Sequence, residues 1–147
     1  GVVYSRSLAG DNDSFMLPCD FLCWIPTAHH KNPALFDMVK KFLEIDETRL
    51  YSSAMYPRLF YLWGHSSEFE VNGNWDVLEK FCAVAGNRDD VWYATNIEIV
   101  DYMNAAKNLK YGVKGDMVYN PSAIPVWVEV DGKHYKINGG ETVHFDA

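Results

Sequence analysis

Short apolar runs alternate with amphipathic helices through most of this chain, and that alternation restricts the fold more than any other feature. "FLCWIPT" (21–27) and "LFYLWGH" (59–65) are apolar until they stop at a polar residue. Between them, Asn32-Pro33 has the order of a helix cap and first turn. Leu35, Phe36, Met38, Val39, Phe42 and Leu43 then recur at three-and-four spacing, which predicts an amphipathic helix to about Ile45. A second helix is expected from Asn74, with Trp75, Leu78, Cys82 and Ala85 on one face and Gly86 as its stop. "DVWYAT" (90–95) reads as another strand. Thr95 followed three residues later by Glu98 has capping-box spacing and predicts a third helix to about Leu109, with Ile99, Tyr102, Met103 and Ala106 as its buried stripe. With "GVVYSR" (1–6) as the first strand, the order predicts a parallel α/β architecture with right-handed crossovers.

Beyond Gly112 the pattern changes. "PVWVEVDGKHYKI" alternates at period two around Asp131-Gly132, a strong signal for a tight hairpin. "GGETVHF" is expected to add a third strand. The chain is thus expected to divide into residues 1–111, built of parallel strand-helix repeats, and residues 112–147, a small antiparallel β appendage.

Charge narrows the partners. Thirteen Lys and Arg against 20 Asp and Glu give a net charge of −7, and no basic cluster occurs, which excludes a phosphate-backbone or anionic-membrane partner. No apolar run approaches the roughly 20 residues that span a bilayer. The strand-like start also carries the expectation that the sequence begins inside a larger protein. Cys19, Cys23 and Cys82 form an odd set without zinc-site spacing and are expected to be buried free thiols.

In parallel α/β folds, chemistry gathers at the carboxyl ends of the strands. Those ends carry Arg6, then Thr27 with His29 and His30, then His65 after Gly64, then Thr95. "YLWGH" followed by "SSEFE", the tryptophan-containing helix, "DDVWYATNIEIVDYM" and the preceding "DFLCWIPTAHH" resemble the carboxyl half of polysaccharide deacetylases, the NodB-homology family of carbohydrate esterases. The resemblance covers roughly residues 1–111 and implies part of a distorted (β/α) barrel. It implies removal of N- or O-acetyl groups from a carbohydrate with the help of a divalent metal such as zinc or cobalt.

Carried over by position, the resemblance makes His65 the general acid that protonates the leaving amine or alcohol. It makes Arg6 the residue that orients the catalytic aspartate. Asp20 and Trp24 become the aspartate-tryptophan pair that lines the pocket and tunes the histidine. Cys23 stands where the family usually has a second aspartate, which leaves the electrostatic partner of His65 open. Trp24, Thr27, His29, His30 and Thr95 are expected to touch substrate. The family's base and metal motifs have no counterpart in this sequence, and adjacent histidines in "AHHKN" do not have the spacing of its metal-binding pair. The resemblance therefore implies no cofactor in this chain alone, no activity alone, and a metal only in a complete domain. An exposed sheet surface and an open first strand imply a homodimer. The alternatives are a non-catalytic carbohydrate-binding module, with Trp24, Trp92 or Trp127 stacking on sugar rings, and an interaction fragment without a ligand.

Overall fold

The computed structural model describes residues 1–8, 12–44 and 57–145. The chain forms two compact units, residues 1–92 and 93–147. Secondary structure is mixed α/β, and the sheets among the described residues are small.

In the first unit, β1 (Ala28–His29) lies parallel to β2 (Leu62–Trp63), with Ala28 opposite Leu62 and His29 opposite Trp63. The opening residues join in parallel fashion. The Trp24 N–H donates to the Ser5 carbonyl (3.0 Å) and the Ser7 N–H to the Trp24 carbonyl (2.8 Å). So "GVVYSR" uses one edge within its own chain. The expected strand at 21–27 begins instead as a single 3-10 turn, Phe21–Cys23, because the Asp20 carboxylate accepts the Leu22 N–H at 2.8 Å. That local bond offers the backbone an alternative to a ladder.

The expected first helix is α1 (Leu35–Leu43), and Ile45 lies outside the described residues. Leu35, Met38 and Val39 are buried with Phe15 and Ala28, and Phe42, Phe60 and Leu62 pack against them. Each such side chain contributes about 1.5–3 kcal/mol of apolar burial. After α2 (Ser66–Asn72), α3 (Trp75–Ala85) closes this core, with Ala85 inward as expected but Val77 and Phe81 in place of the rest of the expected face. Trp75 turns outward to stack on Phe69 (5.1 Å between centroids) and to donate its indole N–H to Glu70 (3.1 Å). An i, i+4, i+8 stripe with a phenylalanine at its centre wins over the stripe through Cys82. All three cysteines are free and exposed rather than buried, Cys82 on the outer side of α3 and Cys19 and Cys23 around the 3-10 turn. No ladder among the described residues includes 90–95. The strand-like reading there rests on Trp92 and Tyr93, which are mostly exposed.

The second unit begins with α4 (Asn96–Lys107), which shares its core with the strands that follow. Ala105, Leu109, Val118, Val126 and Ile137 are buried together, with Tyr102 and Ala106 against them. Strands β3 (Lys110–Tyr111), β4 (Met117–Tyr119) and β7 (Thr142–His144) make one antiparallel sheet in the order β3-β4-β7. Strands β5 (Val126–Val130) and β6 (Lys133–Ile137) form the expected hairpin, with Asp131 at φ 51° and Gly132 at φ 75°. Both turn residues are left-handed, as a two-residue hairpin turn requires. Buried Asn120 ties this unit together. Its amide donates to the carbonyls of Ile124 (2.8 Å) and Ile137 (3.0 Å), and its carbonyl accepts the Ser122 N–H (3.0 Å).

Candidate functional site

The parallel pair is pinned at its start by Thr27. This buried side chain donates to the Leu59 carbonyl (3.2 Å) and accepts the Tyr61 N–H (2.9 Å). With the register fixed, the two strands end side by side. One delivers His29 and His30, the other Gly64 and His65.

The glycine is required by His30. A Cβ at Gly64 would lie 2.0 Å from His30 Nδ1 and 2.8 Å from Cε1. The buried His30 ring fills that space, with the His29 ring 4.3 Å away and the Phe69 ring 4.2 Å away between centroids. Gly64→Ala is expected to cost about 1–3 kcal/mol by overpacking, read as a lower urea midpoint. A midpoint equal to that of the unsubstituted chain would refute the close approach.

His65 is the N-cap of α2, and its backbone N–H donates to Glu68 Oε2 at 3.3 Å. Glu68 is the hub of the site. Its Oε2 lies 3.2 Å from His29 Nε2 and 3.6 Å from His65 Nδ1, and its Oε1 accepts from Lys31 Nζ at 2.9 Å. Trp63 continues the cluster. Its ring meets His29 edge-on at 4.4 Å and carries the Arg6 guanidinium 3.8 Å above it, while the His65 ring lies 6.0 Å away. Arg6 Nη1 is buried and has no hydrogen-bond partner among the described residues.

Lys31 donates directly to the Glu68 carboxylate, and that bond, with the His65 N–H and the nearby charges, holds its pKa down at about 2 against an ordinary value of 4.5. Because the folded pKa is depressed, the stabilisation from this carboxylate is fully present above pH 4.5 and is lost as pH falls through about 2. A carboxyl carbon titration by NMR is expected to show Glu68 still ionised at pH 3, with Lys31→Ala raising its midpoint. A midpoint near 4.5 in the unsubstituted chain would contradict the Lys31 contact.

The other residues named from sequence lie elsewhere. Trp24 is 1% exposed and enclosed by the rings of Tyr4, Phe21 and Tyr61, so it offers no face to a sugar. Thr27 serves the backbone. Asp20 caps the 3-10 turn. Thr95 belongs to the second unit, where its N–H (2.7 Å) and hydroxyl (2.6 Å) both donate to Glu68's counterpart in α4, Glu98, closing the expected capping box. Glu68 was missed from sequence although a signal exists. "HSSE" has the same three-residue spacing as "TNIE", with histidine in the cap position.

The resemblance implies a divalent metal, and the donor atoms of His29, His65 and Glu68 lie within 4.8 Å of one another. They do not fit one. His29 Nδ1 accepts the Lys31 backbone N–H at 3.1 Å, which places the neutral ring's proton on Nε2, the atom that faces Glu68. In that tautomer the nitrogen 3.2 Å from Glu68 Oε2 carries a proton where a ligand would need a lone pair, and an ammonium already holds the same carboxylate. As folded, the cluster is a charge network centred on Glu68. No family model, no curated protein and no solved structure matches this chain.

Proposed function

We propose that this chain supplies the His65-bearing carboxyl part of a metal-dependent polysaccharide deacetylase, within a distorted (β/α) barrel. The observation that carries the reading is an exposed histidine and a half-buried guanidinium gathered around Trp63, the guanidinium with one buried nitrogen unmet. The His65 side chain is 65% exposed, while Arg6 Nη1 lacks an acceptor. An unpaired buried donor costs about 1–3 kcal/mol, more when charged, so Arg6 is suited to receive a carboxylate. The catalytic aspartate of the family is such a group.

In the proposed reaction, water adds to the acetyl carbonyl and the carbon–nitrogen or carbon–oxygen bond breaks. The His65 imidazolium gives its proton to the departing atom, leaving acetate and a free amine or hydroxyl. Histidine suits this step because it changes charge near neutral pH. Glu68 contributes a fixed negative charge behind the ring, and Arg6 holds the base in place. The family's base and metal motifs have no counterpart in this sequence, so the 147-residue chain alone is expected to release no acetate.

The test is acetate release from N-acetylated chito-oligosaccharide and from O-acetylated xylan. It compares this chain with the whole protein that carries it, with and without added zinc or cobalt. Activity on either substrate, in the whole protein only, supports the reading. Inactivity of the whole protein on both, or equal activity of the short chain, defeats it. A binding-module reading has one observation in its favour, the exposed Trp127 on the hairpin. However, Lys136 Nζ sits 5.3 Å over that ring, and its face is partly taken.

A further inference from the structure

Beside the charge network, in the first unit, lies an open cleft of about 390 Å³. His30, Lys31, Phe36, Asn72, Asn74 and Val77 are among its lining residues. Its size falls in the range of small-ligand sites, roughly 300–1,000 Å³.

Two of its lining residues hold buried polar atoms without partners. Asn74 is the N-cap of α3, where an asparagine carbonyl ordinarily accepts an N–H of the first turn. Here it makes no such bond, and Oδ1 is buried with no hydrogen-bond partner among the described residues. Both ring nitrogens of His30 are likewise buried without a hydrogen bond among the described residues; Nδ1 is turned to Gly64 and lies 3.8 Å from Glu68 Oε2, which leaves Nε2 as the unmet atom. Leaving such atoms unmet is costly, and each calls for an explanation. That Asn74 and His30 line one cleft gives a common one, a ligand that donates to Asn74 Oδ1 and hydrogen-bonds His30 Nε2.

The chemistry of the lining defines that ligand. Asn74 Oδ1 is an acceptor, and a neutral imidazole is one donor and one acceptor. Burial, followed by the neighbouring His29, holds His30 below the ordinary histidine range and keeps it neutral at pH 7. The cation at the rim, Lys31, is already committed to Glu68, which disfavours an anionic ligand. Phe36 and Val77 add apolar surface, although Lys80 Nζ lies 4.2 Å from the Phe36 centroid on one side. Neutral groups that both donate and accept, set on an apolar ring, describe a sugar. We propose that this cleft binds one ring of a neutral saccharide, through Asn74 and His30. The proposal rests on the carbohydrate reading for its ligand class but not on the chemistry assigned to His65.

The test uses the 147-residue chain in NMR titrations with N-acetylglucosamine, glucose and inorganic phosphate. Saturable binding of at least one sugar in the millimolar range is expected, with shifts at the Asn74 amide and the His30 ring. Asn74→Ala is expected to weaken binding about tenfold or more, the worth of a lost buried hydrogen bond. It should leave the urea midpoint near its original value, because Oδ1 supports no protein group. No sugar binding, binding of phosphate alone, shifts confined to Trp127, or undiminished binding by a folded N74A chain would each overturn the proposal. Should N74A fail to fold, the shift map of the unsubstituted chain decides. Acetate release is not read in this experiment, so saccharide binding without deacetylation, or the reverse, separates the two proposals.

Discussion

His65→Gln is expected to lower kcat for acetate release by the whole protein roughly 10²–10⁴-fold, the usual contribution of a positioned general acid. KM should change little, because no interaction made equally in the ground state is removed. The substitution is clean in physical terms. The His65 side chain is 65% exposed, and the hydrogen bond its residue gives Glu68 comes from the backbone, which glutamine retains. Glutamine can donate a hydrogen bond but cannot hand over a proton at neutral pH. Steady-state kinetics with the urea midpoint as a control checks the expectation. A loss smaller than tenfold in kcat, with the fold intact, would remove His65 from the role of acid.

Trp24→Ala is expected to cost about 3–5 kcal/mol, the range for truncating a buried aromatic. Against a total domain stability of about 5–15 kcal/mol, that is enough to unfold much of the first unit at moderate temperature. The cause is geometric. The ring is 1% exposed and meets Tyr61 at 5.1 Å, Phe21 at 5.2 Å and Tyr4 at 6.1 Å between centroids. It therefore joins the opening segment, the 3-10 turn and the chain leading into β2. Urea unfolding followed by tertiary circular dichroism measures the loss. A tryptophan that served mainly to stack on substrate would instead leave stability nearly unchanged and weaken glycan binding.

These two residues show where the sequence was legible. Three-and-four spacing and cap residues placed α1, α3 and α4 to within a residue or two, because such signals are local, although only α4 of these three closes a capping box, α1 starting after Ala34 and Asn74 making no cap bond. The hairpin was equally plain, since Asp131-Gly132 fits only a tight turn. The short ladders were not legible, because pairing depends on a distant partner. "FLCWIPT" looks like a strand until Asp20 captures the Leu22 N–H, and Trp92 and Tyr93 look like a strand without entering one. The pairing of β7 with β4, across the intervening hairpin, has no local signature.

The site was legible in part. The polar ends of the two apolar runs correctly brought His29, His30 and His65 to one place. Glu68 escaped notice because it lies one helical turn past the strand end, and only the folded α2 returns it to the histidines. Trp24 and Asp20 were read as site residues from resemblance, whereas their contacts are a core and a turn. Asn74 read only as a helix start. Its unpartnered carbonyl is a three-dimensional fact with no trace in the sequence.

The two-residue turn between β5 and β6 also bears on how the second unit assembles in time. Pairing across that turn closes almost no loop and proceeds in about 1–10 μs, as isolated hairpins do. Strands β4 and β7 can meet only after residues 120–141 are gathered in, and the Asn120 bonds to Ile137 and to the Glu141 backbone complete that closure. Closure of the longer loop is delayed by its entropy, so these contacts belong to the late part of the route. Asn120→Ala should then leave the refolding arm of a chevron plot nearly unmoved and steepen the decay of the native state, making Asn120 a latch on lifetime rather than a guide for folding.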